Sequence, residues 1–230
     1  MEKTESNARR LAVLEYPYLY AAWHVCREDH ARAVSERRPF SGARRSVDLY
    51  REKGTYGKAG LPYTVEEITG APYPALAPHE AIPLHFAEAC RRAAAAGDRI
   101  LTSSGYCAFA PAVLGGLQQA LGPEKKVGLV WVDAHCDNVI VAEAERPDLR
   151  FVAVPLSTIA GQTMRDWGRD FCRMARPLTA GEILLGDGHC SGAEEYENLA
   201  RAGIDRVLPA AALALTLSQS TVPYVSELTD

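Results

Sequence analysis

Short apolar runs that alternate with helix-like segments are the feature that most constrains the fold of this chain. Each run is continuous and lacks a polar residue at every second position, which is typical of strands in a parallel sheet covered on both faces. The segments between them predict helices, so the alternation favours βαβ units and a doubly wound α/β sheet. Strands are predicted at residues 10–14, 99–102, 127–132, 182–185, 204–208 and 222–225, and helices at 84–96, 109–121 and 193–202.

The segment 39–83 departs from this alternation because glycines and prolines interrupt it repeatedly. Such residues mark turns and loops. We therefore expect a loop-rich excursion there, with one short strand or helix near residues 65–68. The sequence contains no internal repeat and no linker, and 230 residues suffice for one sizeable core. These observations predict a single domain spanning residues 1–230.

Composition excludes several classes of function. The net charge of −4 provides no electrostatic attraction to nucleic acid or to an anionic membrane. The six cysteines are scattered without a CxxC pair, which argues against a disulfide framework and a structural zinc knot. The first residues are polar, which argues against a signal peptide. No apolar run is long enough to span a bilayer. We expect a cytoplasmic protein.

Three polar residues follow the predicted strand 127–132 at alternating positions: Asp133, His135 and Asp137. In an extended backbone alternate side chains share one face, so these three would converge. Two carboxylates and an imidazole suit manganese, with iron or zinc as alternatives. The competing interpretation is that these residues are only the polar start of a loop.

Residues 127–138 also resemble the D-A-H-x-D motif of the ureohydrolases, the arginases and agmatinases. Further resemblances cover residues 100–117, 155–161 and 183–194, in the family's order, so the similarity extends from about residue 100 to residue 230. The resemblance implies a three-layer, mostly parallel α/β fold of the arginase and deacetylase type. It also implies two manganese ions, whose bridging hydroxide attacks a guanidinium carbon and releases urea.

Carried over by position, the resemblance implies that Asp133, His135 and Asp137 are metal ligands, with Asp137 also catalytic. Cys107 stands where the family has its first histidine ligand. The alternative interpretation is that Cys107 is only a small buried residue at the start of a helix. Glu194 matches the family's turn that borders the substrate pocket. Asn138 lies next to the family's asparagine position and would point to the opposite side in an extended chain. We expect both residues to bind substrate.

Several family positions have changed in this chain. The aspartate next to the first ligand is replaced by Tyr106, and polar pocket residues are replaced by Val139, Val152, Gly188 and Ser191. His189 and Cys190 are additional polar groups that we interpret as incidental. Near the end, residues 224–230 resemble the strand that carries the family's last two ligands, and only Asp230 matches one of them. We expect either a shortened ureohydrolase or a paralogue that has lost the two-metal site.

The predicted function is hydrolysis of a linear amidine or guanidino compound at a degenerate or incomplete two-metal site, with Mn²⁺ favoured over Zn²⁺ or Fe²⁺. The alternative is a non-catalytic paralogue that acts in binding or assembly. The related deacetylase branch typically has an adjacent pair of histidines, which this sequence lacks. Expected partners are a small guanidino substrate and a second copy of the chain, with no nucleic acid or membrane.

Overall fold

A computed structural model describes residues 10–16, 46–103, 106–122, 124–141 and 153–208. The predicted strand at 222–225, Val152 and Asp230 lie outside these residues.

The described residues alternate between strands and helices along the chain. The first half contains β1 (Leu11–Glu15), α1 (Ser46–Glu52), β2 (Tyr63–Glu67), α2 (Pro78–Ala95), β3 (Arg99–Ser103) and α3 (Ala110–Leu121). The second half contains β4 (Leu129–Asp133), α4 (Pro155–Ile159), α5 (Arg165–Asp170), β5 (Ile183–Asp187), α6 (Ala193–Arg201) and β6 (Val207–Leu208). Short 3-10 turns occupy Thr55–Ala59, Cys107–Phe109 and Ala180–Glu182.

Every strand pair in the described residues is parallel, which confirms the predicted α/β class. The strands form two three-stranded sheets with the orders β2-β1-β3 and β4-β5-β6. The expected single sheet is therefore divided, among these residues, between β3 and β4. An apolar cavity of about 320 Å³ lies at this division, and its lining includes Thr102 of β3, Leu129 of β4 and Val113 of α3.

Helix α2 begins at Pro78, six residues before the predicted start, although Pro83 lies inside it. A proline lacks the N–H that would bond the carbonyl four residues earlier. The carbonyl of His79 instead accepts a hydrogen bond of 2.9 Å from the indole N–H of Trp167. At the N-terminus the Glu80 carboxylate accepts the backbone N–H of Ala77 at 3.0 Å. The bond from Trp167 explains why the helix tolerates Pro83. Pro78 is tolerated because an N–H in the first turn would have no partner within the helix.

The excursion between residues 39 and 83 contains more regular structure than the sequence predicted. Helix α1, the turn at Thr55–Ala59 and strand β2 all lie within it. The carboxylate of Glu15, which is fully buried at the end of β1, holds this segment in place. It accepts a hydrogen bond of 2.8 Å from the hydroxyl of Tyr56 and pairs with the guanidinium of Arg51. Two polar contacts from β1 therefore fix a segment that sequence alone indicated as loop.

Two consecutive glycines set the packing around α3. A Cβ on Gly115 would lie 1.9 Å from the carbonyl oxygen of Cys172, and a Cβ on Gly116 would lie 2.4 Å from that of Ala87 on α2. The backbones of α2 and of the segment after α5 thus approach α3 as closely as glycine allows. This packing fixes the start of α3, and with it Cys107, in the core.

None of the helices in the described residues combines the length and the apolar composition that a membrane crossing requires.

Candidate metal centre

The candidate site lies where the carboxyl ends of β4 and β5 meet the start of α3. In open α/β sheets this edge is where ligands bind. Strand β4 ends at Asp133, which lies beside Asp187 in the parallel register. Cys107 begins the 3-10 turn that leads into α3. All three elements therefore contribute polar side chains to one edge.

The backbone after β4 is not extended, contrary to the expectation from alternation. The N–H of His135 turns back to donate to the Asp133 carboxylate at 3.0 Å. Asp137 has a φ of 49°, in the left-handed region that an extended strand never visits. As a result, the three side chains differ in exposure. The His135 ring is 57% exposed, the Asp133 carboxylate is 36% exposed, and Asp137 is buried.

Asp137 is the most perturbed carboxylate of the site. Its Oδ2 atom is buried and has no hydrogen-bond partner. Burial raises the pKa of Asp137 to about 6, and the negative charges of Asp133 and Glu195 add to this effect. A hydrogen bond with the Cys107 thiol and the proximity of His135 act in the opposite direction. A buried carboxylate oxygen without a partner favours a cation beside it.

Cys107 is half-buried and lies against Asp137. Burial raises the pKa of the Cys107 thiol well above its ordinary value, and the negative charge of Asp137 and the hydrogen bond to it raise the pKa further. The group is therefore a neutral thiol in the metal-free protein. A bound cation would reverse this preference, because metals bind the thiolate.

Helix α6 fixes the loop that carries Asp137. The Glu195 carboxylate accepts the backbone N–H of Asn138 at 3.3 Å and that of Gly192 at 3.0 Å. The hydroxyl of Ser191 accepts the N–H of Cys136 at 2.7 Å, and the side-chain amide of Asn198 donates to the carbonyl of Asn138 at 2.9 Å. The loop is thus held by three hydrogen bonds to Glu195 and Asn198 of α6 and to Ser191 just before it.

Glu195 is the site residue that sequence reasoning missed. The predicted substrate residue, its neighbour Glu194, is exposed in the first turn of α6. Glu195 occupies the third helical position, where a carboxylate commonly closes a helix N-terminus. That spacing was readable in the sequence, but its second bond to Asn138 depends on a loop 57 residues away.

Asn138 is fully buried, and neither its Nδ2 nor its Oδ1 atom has a hydrogen-bond partner. Its main chain is fixed on both sides, because the carbonyl of Asp137 accepts the N–H of Leu156 at 3.0 Å and that of Val139 accepts the Ser157 hydroxyl at 2.6 Å. An unpaired buried side-chain amide offers two N–H donors and a carbonyl acceptor to a ligand.

The end of β5 repeats the turn found at the end of β4. Asp187-Gly-His-Cys190 matches Asp133-Ala-His-Cys136 in sequence, and the N–H of His189 donates to Asp187 at 3.3 Å. The His189 ring is exposed and lies 2.8 Å from the Asp187 carboxylate. The two turns are bonded through their backbones, from Gly188 to Asp133 at 2.8 Å and from Cys190 to Ala134 at 2.7 Å.

No group of three or more histidine, cysteine, aspartate or glutamate side chains in the described residues is arranged to hold a metal ion. The reason is local. One oxygen of Asp133 accepts the turn N–H, and the His135 ring is largely exposed. The buried, unpaired carboxylate oxygen of Asp137 beside the Cys107 thiol has donor chemistry that suits a divalent cation. The metal roles of Asp133 and His135 stay predictions. The metal role of Asp230 stays a prediction.

No sequence family model matches the chain, and no curated protein matches it. Among solved structures, arginase of Entamoeba histolytica in complex with L-ornithine has a TM-score of 0.61 and 14% identity, covering 90% of this chain and 67% of that one. Arginase of Bacillus subtilis has a TM-score of 0.61 and 11% identity, covering 90% of this chain and 65% of that one. A Trypanosoma cruzi formiminoglutamase variant with Mn²⁺ has a TM-score of 0.56 and 12% identity, covering 94% of this chain and 65% of that one. The chain thus spans about two thirds of the length of these proteins, and it has the arginase fold.

Proposed function

We propose that this chain binds a divalent cation, with Mn²⁺ favoured, and is a ureohydrolase-type hydrolase of a linear amidine or guanidino compound. The observation that carries the proposal is the buried, unpaired Oδ2 atom of Asp137 beside the Cys107 thiol at the carboxyl end of β4. The arginase fold supports it, because the site occupies the edge where open α/β sheets bind ligands.

In the proposed site Asp137, Cys107, Asp133 and His135 would hold the cation, which would lower the pKa of a bound water. Asp137 has a raised pKa of about 6 in the metal-free protein, so binding a cation displaces any proton from it. Glu195 holds the N–H of Asn138 and fixes the loop between the metal ligands and the pocket. The free amide of Asn138 can then bond the nitrogen of a planar substrate.

The second candidate function is a non-catalytic metal-binding or assembly protein. The observation in its favour is that no three metal-binding side chains of the described residues are arranged around one point. A two-metal mechanism needs carboxylates shared between ions about 3.5–4 Å apart. The valine at position 139 also removes a polar group from the pocket side of the motif. Retained metal binding without urea release would favour this second function.

A thermal-shift experiment tests the metal site. Mn²⁺ or Zn²⁺ at a hundred-fold excess over Kd should stabilise the folded protein by about 2.7 kcal/mol through mass action. The double variant Asp133→Asn, His135→Ala should lose this gain. The matched control is Asp187→Asn, His189→Ala, which changes the same residue types at the same spacing on the adjacent strand and should keep the gain. An unchanged melting temperature of the unmodified protein with both metals would contradict the site.

A further inference from the structure

His85 of α2 is buried, and both nitrogens of its ring have hydrogen-bond partners. The Nδ1 atom accepts the backbone N–H of Thr69 at 3.3 Å and that of Gly70 at 3.2 Å. The Nε2 atom lies 3.2 Å from the Oε1 atom of Glu66 on β2. A backbone N–H can only donate, so Nδ1 must present its lone pair and the ring proton must be on Nε2. These contacts make His85 a neutral imidazole that donates to Glu66.

A second proton on the His85 ring is subject to two opposing influences among the described residues. The Oε1 atom of Glu66, which faces Nε2, also accepts a hydrogen bond of 2.7 Å from Arg92 of α2. The hydrogen bond from His85 holds the pKa of Glu66 below its usual range, and the charge of Arg92 lowers it further against the effect of burial. The charged carboxylate therefore favours an imidazolium. One turn further along α2, Glu88 is paired with Arg91 at 3.0 Å.

The two backbone amides oppose that second proton. A proton on Nδ1 would point at the N–H groups of Thr69 and Gly70, so both amides would lose their acceptor. The closed arrangement is therefore compatible only with the neutral ring.

The two amides belong to the loop that joins β2 to α2. This loop starts at the carboxyl end of β2, and ligands of open α/β sheets bind beyond the carboxyl ends of the strands. At Gly70 the chain has a φ of 75°, and a Cβ there would lie 3.1 Å from the Cβ of Ala81 on α2. The carbonyl of Gly70 accepts the N–H of Tyr73 at 2.9 Å. The bonds to His85 thus fix a point at which the loop lies directly against α2 and from which its next turn begins.

We propose that His85 is a pH-operated latch, whose neutral ring holds the loop between β2 and α2 and whose protonation at Nδ1 releases it. In the closed form Nδ1 is occupied by the N–H groups of Thr69 and Gly70 and cannot take up a proton. In the open form it can, and the imidazolium keeps its bond to the Glu66 carboxylate. Only the open form binds the extra proton, so a fall in pH shifts the equilibrium towards it. This inference does not depend on metal binding or on hydrolysis.

NMR of the full-length protein tests both parts of the proposal. At neutral pH, ring ¹⁵N spectra should show a proton on Nε2 of His85 and none on Nδ1. Amide hydrogen exchange, converted to protection factors to remove the intrinsic effect of pH, then measures loop opening. On the acid side the protection factor of the Gly70 amide should fall by about ten-fold per pH unit, because each opening takes up one proton. The Gly122 amide, which bonds the carbonyl of Gln118 at the end of α3, should keep its protection.

Three substitutions separate the charge of the imidazole from its hydrogen bonds. In His85→Asn the side-chain carbonyl can replace Nδ1 as the acceptor and gains no proton, so Gly70 should stay protected in acid. In His85→Phe the acceptor is absent, so Gly70 should exchange rapidly at every pH. Glu66→Gln removes the charge that favours the imidazolium, so the fall in protection should begin at lower pH. Far-UV circular dichroism checks that each variant is folded.

Several results would overturn the latch. A proton on Nδ1 at neutral pH would contradict the assigned state of the ring, and a Gly70 amide that stays protected in acid would show that the loop is not released. A loss of protection that His85→Asn shows equally would assign it to another group. A loss that Gly122 shares would assign it to global unfolding. If His85→Phe does not fold, the native protein and His85→Asn still decide between these outcomes.

Discussion

At the scale of single residues, Asp137 determines how the candidate site responds to pH. Its pKa of about 6 in the folded protein lies above the ordinary aspartate value of about 4. The folded state therefore binds this proton more tightly than the unfolded state, and stability falls as pH rises from about 4 to about 6. Above that window the carboxylate is charged in both the folded and the unfolded state, and burying the charge lowers the free energy of unfolding by its full amount.

We therefore predict that Asp137→Asn raises the melting temperature of the chelator-treated protein at pH 7–8. The gain should shrink as pH falls and vanish near pH 4, where the native carboxyl is neutral as well. Thermal denaturation across this pH range measures it, with Asp205→Asn as a control at an exposed aspartate. A gain that does not change with pH would contradict the assigned cause.

Cys107 provides a second prediction at this scale. Because burial and Asp137 raise its pKa, the thiolate that reacts with iodoacetamide is scarce. Each unit of raised pKa lowers the thiolate fraction about ten-fold. Without metal, Cys107 should react at least ten-fold more slowly than the exposed Cys190.

Added Zn²⁺ should abolish the residual reaction of Cys107 and leave that of Cys190 unchanged. Peptide mass spectrometry over time measures both rates in one sample. If Cys107 reacts equally fast with and without metal, it is not a ligand.

The residues of the site were only partly predictable. A short motif sufficed to select Asp133, His135 and Asp137, because their residue types fit metal chemistry. Their different exposures were not predictable, because the left-handed φ of Asp137 and its contact with Cys107 depend on tertiary packing. The same is true of Glu195, whose bond to Asn138 joins separate elements.

At the scale of elements, the two glycines of α3 determine how closely the helices pack. Gly115→Ala would place a methyl group 1.9 Å from the carbonyl oxygen of Cys172. Overpacking of this kind costs about 1–3 kcal/mol or more, which exceeds the gain of about 1 kcal/mol in helix propensity. We expect the melting temperature to fall by about 4–8 °C if the net loss is about 2 kcal/mol.

Differential scanning calorimetry can measure this loss, with Gly181→Ala as the control. A Cβ on Gly181 meets no atom within 4 Å, so that variant should change the melting temperature little. Equal effects of the two substitutions would show that backbone entropy, rather than close packing, determines the result.

Element boundaries show where sequence reasoning fails. Strands β3 and β5 were predicted to within one or two residues, because continuous apolar runs bounded by polar residues leave few alternatives. Helix α2 was predicted to begin too late, because Pro83 is a helix breaker in isolation. Only tertiary structure shows that Trp167 bonds the carbonyl that Pro83 leaves free.

At the scale of the whole molecule, the number of cations determines the expected activity. The site that we propose from the described residues would hold one cation, whereas urea release by the proposed family mechanism uses two ions that share a hydroxide. We predict little or no urea release from arginine, agmatine or guanidinobutyrate, even with saturating Mn²⁺. A colorimetric urea assay measures this, with Asp137→Asn as the background control. Robust turnover that disappears in that variant would show that one cation suffices, or that residues outside the described ranges complete the site.

The overall architecture was the most predictable level. Alternating apolar runs and helices predicted the α/β class, and the structure confirms parallel pairing throughout the described strands. The division into two sheets was not predictable, because strand order depends on which edges meet and not on the pattern within each strand.

The pairing of β1 has a consequence for the time at which the first sheet can assemble. Leu11 lies beside Tyr63 on one side and Arg99 on the other. Arg10 and Asp98, 88 residues apart, form an ion pair next to this register. During synthesis at roughly 5–20 residues per second, β1 leaves the ribosome about 4–18 s before its last partner. The apolar β1 strand must therefore stay unpaired on one side for that interval, which makes early chaperone contact most useful at the beginning of this chain.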